Sequence, residues 1–353
     1  MLSYGAENSF MKTKKNRLLL LPVFAFGFVF VLAGCGANGN ENDDAVISLN
    51  YVNFPPAPTF PCVQMERWKE QVEARTEGRV KINTFPGGTL LAAKDIFDGV
   101  VLGHADIGNF AMSYQPGRFP VSESIDLPHF FPDSKTATKK LAALIKETNP
   151  EEFKGVEVLA MFTCPPAVVM SSVKNDTLEA LKNLPLRSSG TGADLIAALG
   201  AKPVAMPQSD VLDALQKGVV KGNVSSAEVL KDMNYAAYCP FVYKADLPVV
   251  SFAVVMNKAR FDKLPENIRE IFRSLYDEHS AWTADYVDQH ADDAIAWAQD
   301  ENNGNLKRKL EIFTPTDAEK TRLRASAVPL FEAYEKKYGT KAKNALDFIR
   351  DAK

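Results

Sequence analysis

The stretch "LPLRSSGTGADLIAALGAKPVAMP", residues 184–207, decides the fold class and holds the main candidate for a binding role. "LPLRSS" predicts a short strand, and the apolar run after "GTG" predicts a helix that follows a loop. Arg187 is the one charged residue between Leu184 and Gly192. It is either a surface residue at a strand end or a group that binds an anion, and the residues of this stretch alone leave both interpretations open.

The same alternation of strands and helices runs through the rest of the chain. Helices are predicted over "CVQMERWKEQVEARTEG" (62–78) and "AKDIFDGVVLG" (93–103). Strands that alternate with helices indicate parallel βαβ units and an α/β fold. Strands are predicted at 46–52, 79–85, 105–111, 156–162 and, as the most apolar one, 249–257.

Residues 265–304 predict one very long helix. After Pro265, which suits a first helical turn, no glycine or proline occurs before Gly304. About 39 helical residues would extend close to 60 Å, longer than one small domain. The segment is therefore a helix shared by two lobes or, as the alternative, two helices broken near Asp292 and Asp293.

The N-terminal residues have the pattern of an export signal. "MKTKKNRLLLLPVFAFGFVFVLAGC" (11–35) has a basic start, an apolar run and a lipobox that ends at Cys35. The apolar run is short for the roughly 20 residues of a membrane span. We therefore expect a signal peptide over 1–34 with its true start at Met11, lipidation of Cys35, and a flexible tether over 35–45.

Composition and motifs exclude several function classes. The formal net charge is −3 with no basic stripe, so nothing suggests nucleic-acid binding. "GTGADL" lacks both the third glycine of a dinucleotide fingerprint and the lysine of a phosphate-binding loop. No histidine or cysteine spacing is typical of a metal site, and the three cysteines after Cys35 fix no disulfide framework. We expect no cofactor, no metal and no catalysis, and therefore a binding protein.

Five motifs follow a recurrent order along the chain. They are "FPGGTL" (85–90), "G-x-ADIG" (103–108), "RFPVSESIDLPHFF" (118–131), "LPLRSSGTG…LGAKPVAMP" (184–207) and "DVLDALQKGVVKG" (210–222). Together they resemble the solute-binding subunits of tripartite ATP-independent periplasmic (TRAP) transporters. This resemblance implies an α/β, two-lobed periplasmic binding protein fold with strands crossing between lobes and a long spanning helix. It suggests one lobe over 46–168 plus about 249–285, and a second over 169–248 plus about 286–353.

The resemblance also implies roles for single residues. The arginine that binds the ligand carboxylate in this family falls on Arg187, and a guanidinium suits that role because its planar donors meet a carboxylate in pairs. Asn53 and Ser225 fall on polar contact positions of members that bind sialic acid. Other polar positions of that subgroup are lost, as at Lys221, which replaces an aspartate. Aromatic and small residues are then expected to line the cleft, namely Phe54, Phe60, Phe110, Tyr114, Phe162 and Pro165.

The expected ligand is a monocarboxylate with an apolar, aromatic body, and a small hydroxy or keto acid is the second choice. We expect a monomer outside the cytoplasm, anchored to the membrane through the lipidated Cys35 of the lipobox. The resemblance implies that it delivers its ligand to a sodium-driven TRAP permease. Two alternatives remain open at this point. One is a sensor that hands the ligand to a membrane kinase. The other is an enzyme that uses Cys164 or Cys239, although neither segment supplies a base for the thiol.

Overall fold

The computed structural model describes residues 46–300 and 302–352. The predicted signal peptide (1–34, with Met11 as its start), the lipidation site Cys35 and the tether (35–45) lie outside the described residues. Among the residues that are described, no helix combines the length and the apolar character needed to cross a bilayer.

The described strands form two sheets, and helices connect and cover them. The strands are β1 (Ile47–Asn53), β2 (Val80–Phe85), β3 (Ile107–Ala111), β4 (Val156–Thr163), β5 (Ala167–Ser171), β6 (Pro185–Ser188), β7 (Lys202–Ala205), β8 (Gly222–Ser225), β9 (Phe241–Leu247), β10 (Ser251–Asn257) and β11 (Glu311–Phe313). The helices are α1 (Phe60–Arg75), α2 (Ile96–Val101), α3 (Ser134–Thr148), α4 (Gly190–Ala198), α5 (Val211–Gln216), α6 (Val229–Asp232), α7 (Lys258–Asp262), α8 (Glu266–Gln299), α9 (Asp317–Tyr338) and α10 (Thr340–Asp351).

Both sheets combine parallel and antiparallel pairs. The first sheet has the order β2-β1-β3-β10-β4, in which β1 is parallel to β2 and β3, and β10 is antiparallel to β3 and β4. The second has the order β11-β9-β5-β8-β6-β7, with β6 parallel to β7 and β8 and β5 antiparallel to β8 and β9. The α/β fold predicted from the alternating pattern is confirmed.

Between the described strands, the chain passes from one sheet to the other three times: from β4 to β5, from β9 to β10, and from β10 through α7 and α8 to β11. The first two passages are short connections. Residues 164–166 join β4 to β5, and residues 248–250 join β9 to β10. The two connections lie side by side, since the backbone N–H of Cys164 donates to Val250 O at 2.9 Å. The strand predicted at 249–257 starts only at Ser251 and belongs to the first sheet, so the crossing is made by the residues just before it.

Helix α8 is unbroken over its 34 residues, which corresponds to a length of about 50 Å. Phe272 and Leu275 are buried in the apolar core around the first sheet, whereas Ala291 and Ala298 are buried in a core on one face of the second sheet. The helix therefore spans both lobes, as predicted. The alternative of two helices broken near Asp292 is wrong, because no residue there interrupts the helical hydrogen bonds.

Candidate ligand-binding site

A cavity lies between the two sheets, next to the crossing segments. Tyr114 follows strand β3 of the first sheet, whereas Arg187 belongs to β6 of the second. Cys164 and Val250, one from each crossing segment, also contribute to the wall. The internal volume is ≈ 50 Å³. An apolar cavity of about 150 Å³ holds a benzene molecule, so an aromatic ligand requires these walls to move apart.

Arg187 is buried in this wall with 2% of its surface exposed. Its Nε donates to Met206 O at 2.9 Å, and its Nη1 donates to Asn223 Oδ1 at 3.4 Å. Within the described part of the chain, no carboxylate oxygen lies within 4.0 Å of the guanidinium. A buried charge without a counter-charge is costly. The arrangement is thus suited to an anion that enters from the cavity.

Tyr114 connects Arg187 to the opposite sheet. Nη2 of Arg187 donates to the Tyr114 hydroxyl at 3.4 Å, and the backbone N–H of Gln208 donates to the same oxygen at 3.0 Å. Burial raises the pKa of Tyr114, although the Arg187 charge opposes the shift, so the phenol remains protonated at neutral pH. Because its oxygen already accepts two hydrogen bonds, the hydroxyl proton of Tyr114 is free to be donated to a ligand.

Aromatic rings form the apolar side of the cavity. The Phe54 ring lies 5.4 Å from the Tyr114 ring and 6.4 Å from the Phe252 ring, with the two phenylalanine planes only 7° apart. Phe60 meets Phe252 edge to face at 5.9 Å. Aromatic contacts of this kind are worth about 0.5–1.5 kcal/mol beyond the burial of area. The wall is therefore suited to a flat apolar group.

Two acidic residues lie on another side of the cavity, and their environments differ. Glu228 has 2% of its surface exposed; its Oε1 accepts from Ser226 Oγ at 2.7 Å, whereas its Oε2 has no hydrogen-bond partner. Burial raises the pKa of Glu228 to about 7. Asp232, by contrast, accepts from His290 Nε2 at 2.8 Å, and this hydrogen bond raises the pKa of His290.

The structure places five of the nine sequence-predicted contact residues on the cavity wall. They are Arg187, Phe54, Phe60, Tyr114 and Ser225.

The other four predicted residues, Asn53, Phe110, Phe162 and Pro165, are not on the wall. Asn53 is fully buried, and its amide contacts Pro61 O, the Phe54 N–H and Asn109 Nδ2.

The remaining members of this group pack inside the protein. Phe110 packs against Phe97 at 5.1 Å, in the core of the first sheet. Phe162 stacks behind Phe252 at 5.4 Å. Pro165 lies buried in the crossing segment beside the wall residue Cys164.

Several wall residues were missed by the sequence analysis. Gln208 and Glu228 belong to no motif, and Phe252 lies in a strand whose apolar run indicates a core position. The only available signal for Glu228 was an acidic residue in "SSAEVL", three positions after the predicted contact Ser225.

The cysteines in the described part of the chain, Cys62, Cys164 and Cys239, are free and buried, which weighs against thiol chemistry. Burial raises the pKa of Cys164 well above its usual range and that of Cys239 to about 12. A thiol nucleophile reacts as the thiolate, which these environments disfavour. Among the described residues, no cluster of three or more histidine, cysteine or acidic side chains is placed to hold a metal ion.

Sequence comparison identifies the family. Residues 56–337 match the DctP family, bacterial extracellular solute-binding protein, family 7. The chain is a member of this family. The resemblance to TRAP solute-binding subunits is thereby confirmed, and the proteins of this family bind solutes for transport.

Solved structures of TRAP solute-binding proteins share the fold. A TRAP periplasmic solute-binding protein from Desulfovibrio salexigens is 41% identical, with a TM-score of 0.77 over 87% of this chain and 95% of that one. That structure is an open complex in which the C-terminus of a symmetry mate is bound in the ligand-binding site.

Two more distant structures show the same fold. A marine metagenome protein specific for aromatic acids, in complex with 3-hydroxybenzoate, is 22% identical, with a TM-score of 0.80 over 87% of this chain and 98% of its own. A protein from Rhodoferax ferrireducens with copurified benzoate is 23% identical, with a TM-score of 0.79 over 86% and 97%.

Proposed function

We propose that this family 7 protein captures an organic acid with one carboxylate and an aromatic body. The observation that carries the proposal is the Arg187 guanidinium, which is buried and without a carboxylate partner among the described residues, beside a wall of aromatic rings. A ligand carboxylate supplies the missing counter-charge. The two donors that the guanidinium directs at Asn223 and Tyr114 span long distances of 3.4 Å, so they can be redirected to a ligand.

The structure of the 41% identical neighbour supports a carboxylate ligand. In that protein the C-terminus of a symmetry mate occupies the ligand-binding site, and a C-terminus ends in a carboxylate. The aromatic wall of Phe54, Phe60 and Phe252 supports a flat ring next to it. The neighbours that hold 3-hydroxybenzoate and benzoate show that this fold accommodates such acids. In this protein, the absence of a second arginine from the cavity wall argues against a dicarboxylate.

Ligand binding is proposed to close two lobes by a hinge at the crossing segments. The proposed lobes comprise 46–168 with about 249–285, and 169–248 with about 286–353. The sheets support this division. Every strand of the first sheet lies in the first proposed lobe, and of the strands of the second sheet only β5 begins in that lobe, with its first two residues. The cavity volume of ≈ 50 Å³ is too small for an aromatic acid, which supports a movement of the two lobes away from each other before such a ligand enters.

A small hydroxy or keto acid is the second candidate. The same cavity volume favours it, because such a ligand needs less widening of the walls. The hydroxyls of Tyr114 and Ser225 are available to bind its polar groups.

The proposed partner is the membrane permease of a TRAP transporter, to which the monomeric protein delivers its ligand. Anchoring through a lipid on Cys35 is part of this proposal and rests on the lipobox in the sequence. The Cys35→Ser variant, expressed with its export signal, is expected in the soluble fraction after signal cleavage. Recovery of the cleaved variant with the membrane would contradict the anchor.

Mass spectrometry of small molecules that copurify with the protein tests the ligand class. We expect a monocarboxylic acid with an aromatic body, released on denaturation and absent from the Arg187→Ala protein purified in parallel. A copurified neutral sugar or an amino-sugar acid such as sialic acid would contradict the proposal.

A further inference from the structure

Glu228 lines the cavity and has a buried carboxylate oxygen without a hydrogen-bond partner. Only 2% of the residue's surface is exposed, Ser226 Oγ contacts only Oε1, and Oε2 has no hydrogen-bond partner. A buried polar atom left without a partner costs about 1–3 kcal/mol, and more when it is charged. Such an atom on the wall of a binding cavity indicates that the partner comes from the ligand.

Neighbouring groups in the protein do not supply that partner. Arg187 lines the same cavity, yet its guanidinium and the Glu228 carboxylate form no ion pair within 4.0 Å. Asp232, the acidic neighbour, is occupied by His290 and by the backbone N–H of Phe60 at 3.3 Å. Gln208 also lines the cavity and is itself short of a partner, because its buried Nε2 makes no hydrogen bond.

We propose that Glu228 selects, among the carboxylic acids held by Arg187, those that carry a hydroxyl group on the body of the ligand. This assignment rests on the proposed function. The ligand then bridges the cavity, with its carboxylate at Arg187 and its hydroxyl hydrogen donated to Glu228 Oε2. The oxygen of the ligand hydroxyl can then accept a hydrogen bond from Gln208 Nε2, an unpartnered donor of another residue that lines the cavity.

The chemistry of Glu228 favours a hydroxyl over other groups. Because burial raises its pKa to about 7, both protonation states occur near neutral pH. A hydroxyl donates to the charged form and accepts from the protonated form, whereas an ammonium group suits only the charged form. An ammonium also carries three donors, and Glu228 offers one unpartnered oxygen. A second carboxylate on the ligand would be repelled by the ionised form.

Calorimetric titration with matched acids tests the assignment. The probes are benzoate with 3-hydroxybenzoate, phenylacetate with mandelate, and phenylglycine, in which an ammonium group replaces the mandelate hydroxyl. We expect at least one hydroxylated acid to bind about 10- to 100-fold more tightly than its parent, since a site built to bond a hydroxyl rejects the analogue without one. In the Glu228→Met variant, the ratio of the two affinities is expected to fall to within about threefold.

A cooperative thermal unfolding transition of the Glu228→Met protein shows that it is folded. Asp232→Asn is the matched control, because this acid is already paired with His290 and its loss is expected to affect parent and hydroxylated acids alike. Equal affinity for parent and hydroxylated acids in the wild type, a preference that survives in Glu228→Met, or tighter binding of phenylglycine than of mandelate would each overturn the assignment. Failure of all five acids to bind would overturn the proposed function together with it.

Discussion

The Tyr114 hydroxyl oxygen lies 3.4 Å from Nη2 of Arg187 and accepts a hydrogen bond from it. Tyr114 follows a strand of the first sheet, and Arg187 is part of a strand of the second, so this contact joins the two lobes at the cavity. The same oxygen accepts from the backbone N–H of Gln208. Tyr114 therefore helps to orient the guanidinium at the junction of the two sheets.

Removal of this hydroxyl is expected to weaken ligand binding without unfolding the protein. In Tyr114→Phe, the ring keeps its contact with Phe54, but Arg187 and the Gln208 N–H lose an acceptor. The expected loss is about 1.5–3 kcal/mol, the range for hydrogen bonds that involve a charged group. Calorimetry with 3-hydroxybenzoate measures it. Unchanged affinity with an unchanged Tm would show that Tyr114 does not position the guanidinium.

A close backbone approach between the sheets gives a second prediction. Gly190 has φ +55°, and a Cβ at this position would lie 2.9 Å from Ser113 Cβ, just before Tyr114. Gly190→Ala should therefore hold the loop after β3 and the start of α4 apart, and reduce ligand affinity at least fivefold.

Gly218→Ala is the matched control for this substitution. Gly218 also has positive φ (+71°), but its nearest neighbour is the end of the Lys221 side chain at 3.6 Å. Both variants should lose about 1–2 kcal/mol of stability from the left-handed conformation. Only Gly190→Ala should lose affinity, and equal affinities in the two variants would contradict the predicted approach of the sheets.

The buried carboxyl of Glu228 predicts a pH-dependent stability difference. Its folded pKa of about 7 lies above the unfolded value. The stability that the protonated group contributes is therefore complete below about pH 4, and it is lost as the pH rises through 7. Glu228→Gln, which cannot ionise, should match the wild type at pH 4.5 and be more stable by about 3 kcal/mol at pH 8.

Urea unfolding of the wild type and Glu228→Gln at both pH values, without ligand, measures this difference. A stability gain of equal size at pH 4.5 and pH 8 would show that ionisation of Glu228 is not its cause.

The sequence predicted the elements of the fold well because their signals are local. Alternating β-branched residues marked β1 and β2 to within about a residue, and the absence of glycine and proline marked α8. The start of the strand predicted at 249 was less exact. Pro248 and Val249 are buried at the crossing and Val250 is half-buried there, and the local pattern of apolar residues does not distinguish this burial from that of a strand.

The site was only partly predictable, because its members come together through long-range folding. Arg187 stood out as a charge in an apolar run, and the family resemblance gave it a role. Asn53 matched a polar contact position, but its amide is used inside the protein by Pro61, Phe54 and Asn109. The significance of Glu228 lies in a missing partner, which depends on three-dimensional packing and leaves no sequence pattern.

Calorimetric titration of 3-hydroxybenzoate and benzoate into the wild type and Arg187→Ala, at one pH and ionic strength, tests the central claim most directly. The wild type is expected to bind at least one of these acids in a one-to-one complex. Arg187→Ala is expected to lose about 2–5 kcal/mol of binding free energy, as when one partner of a buried charge pair is removed. Undiminished affinity of the Arg187→Ala protein would contradict the claim, and so would tight binding of a C4-dicarboxylate or sialic acid with no heat from either aromatic acid.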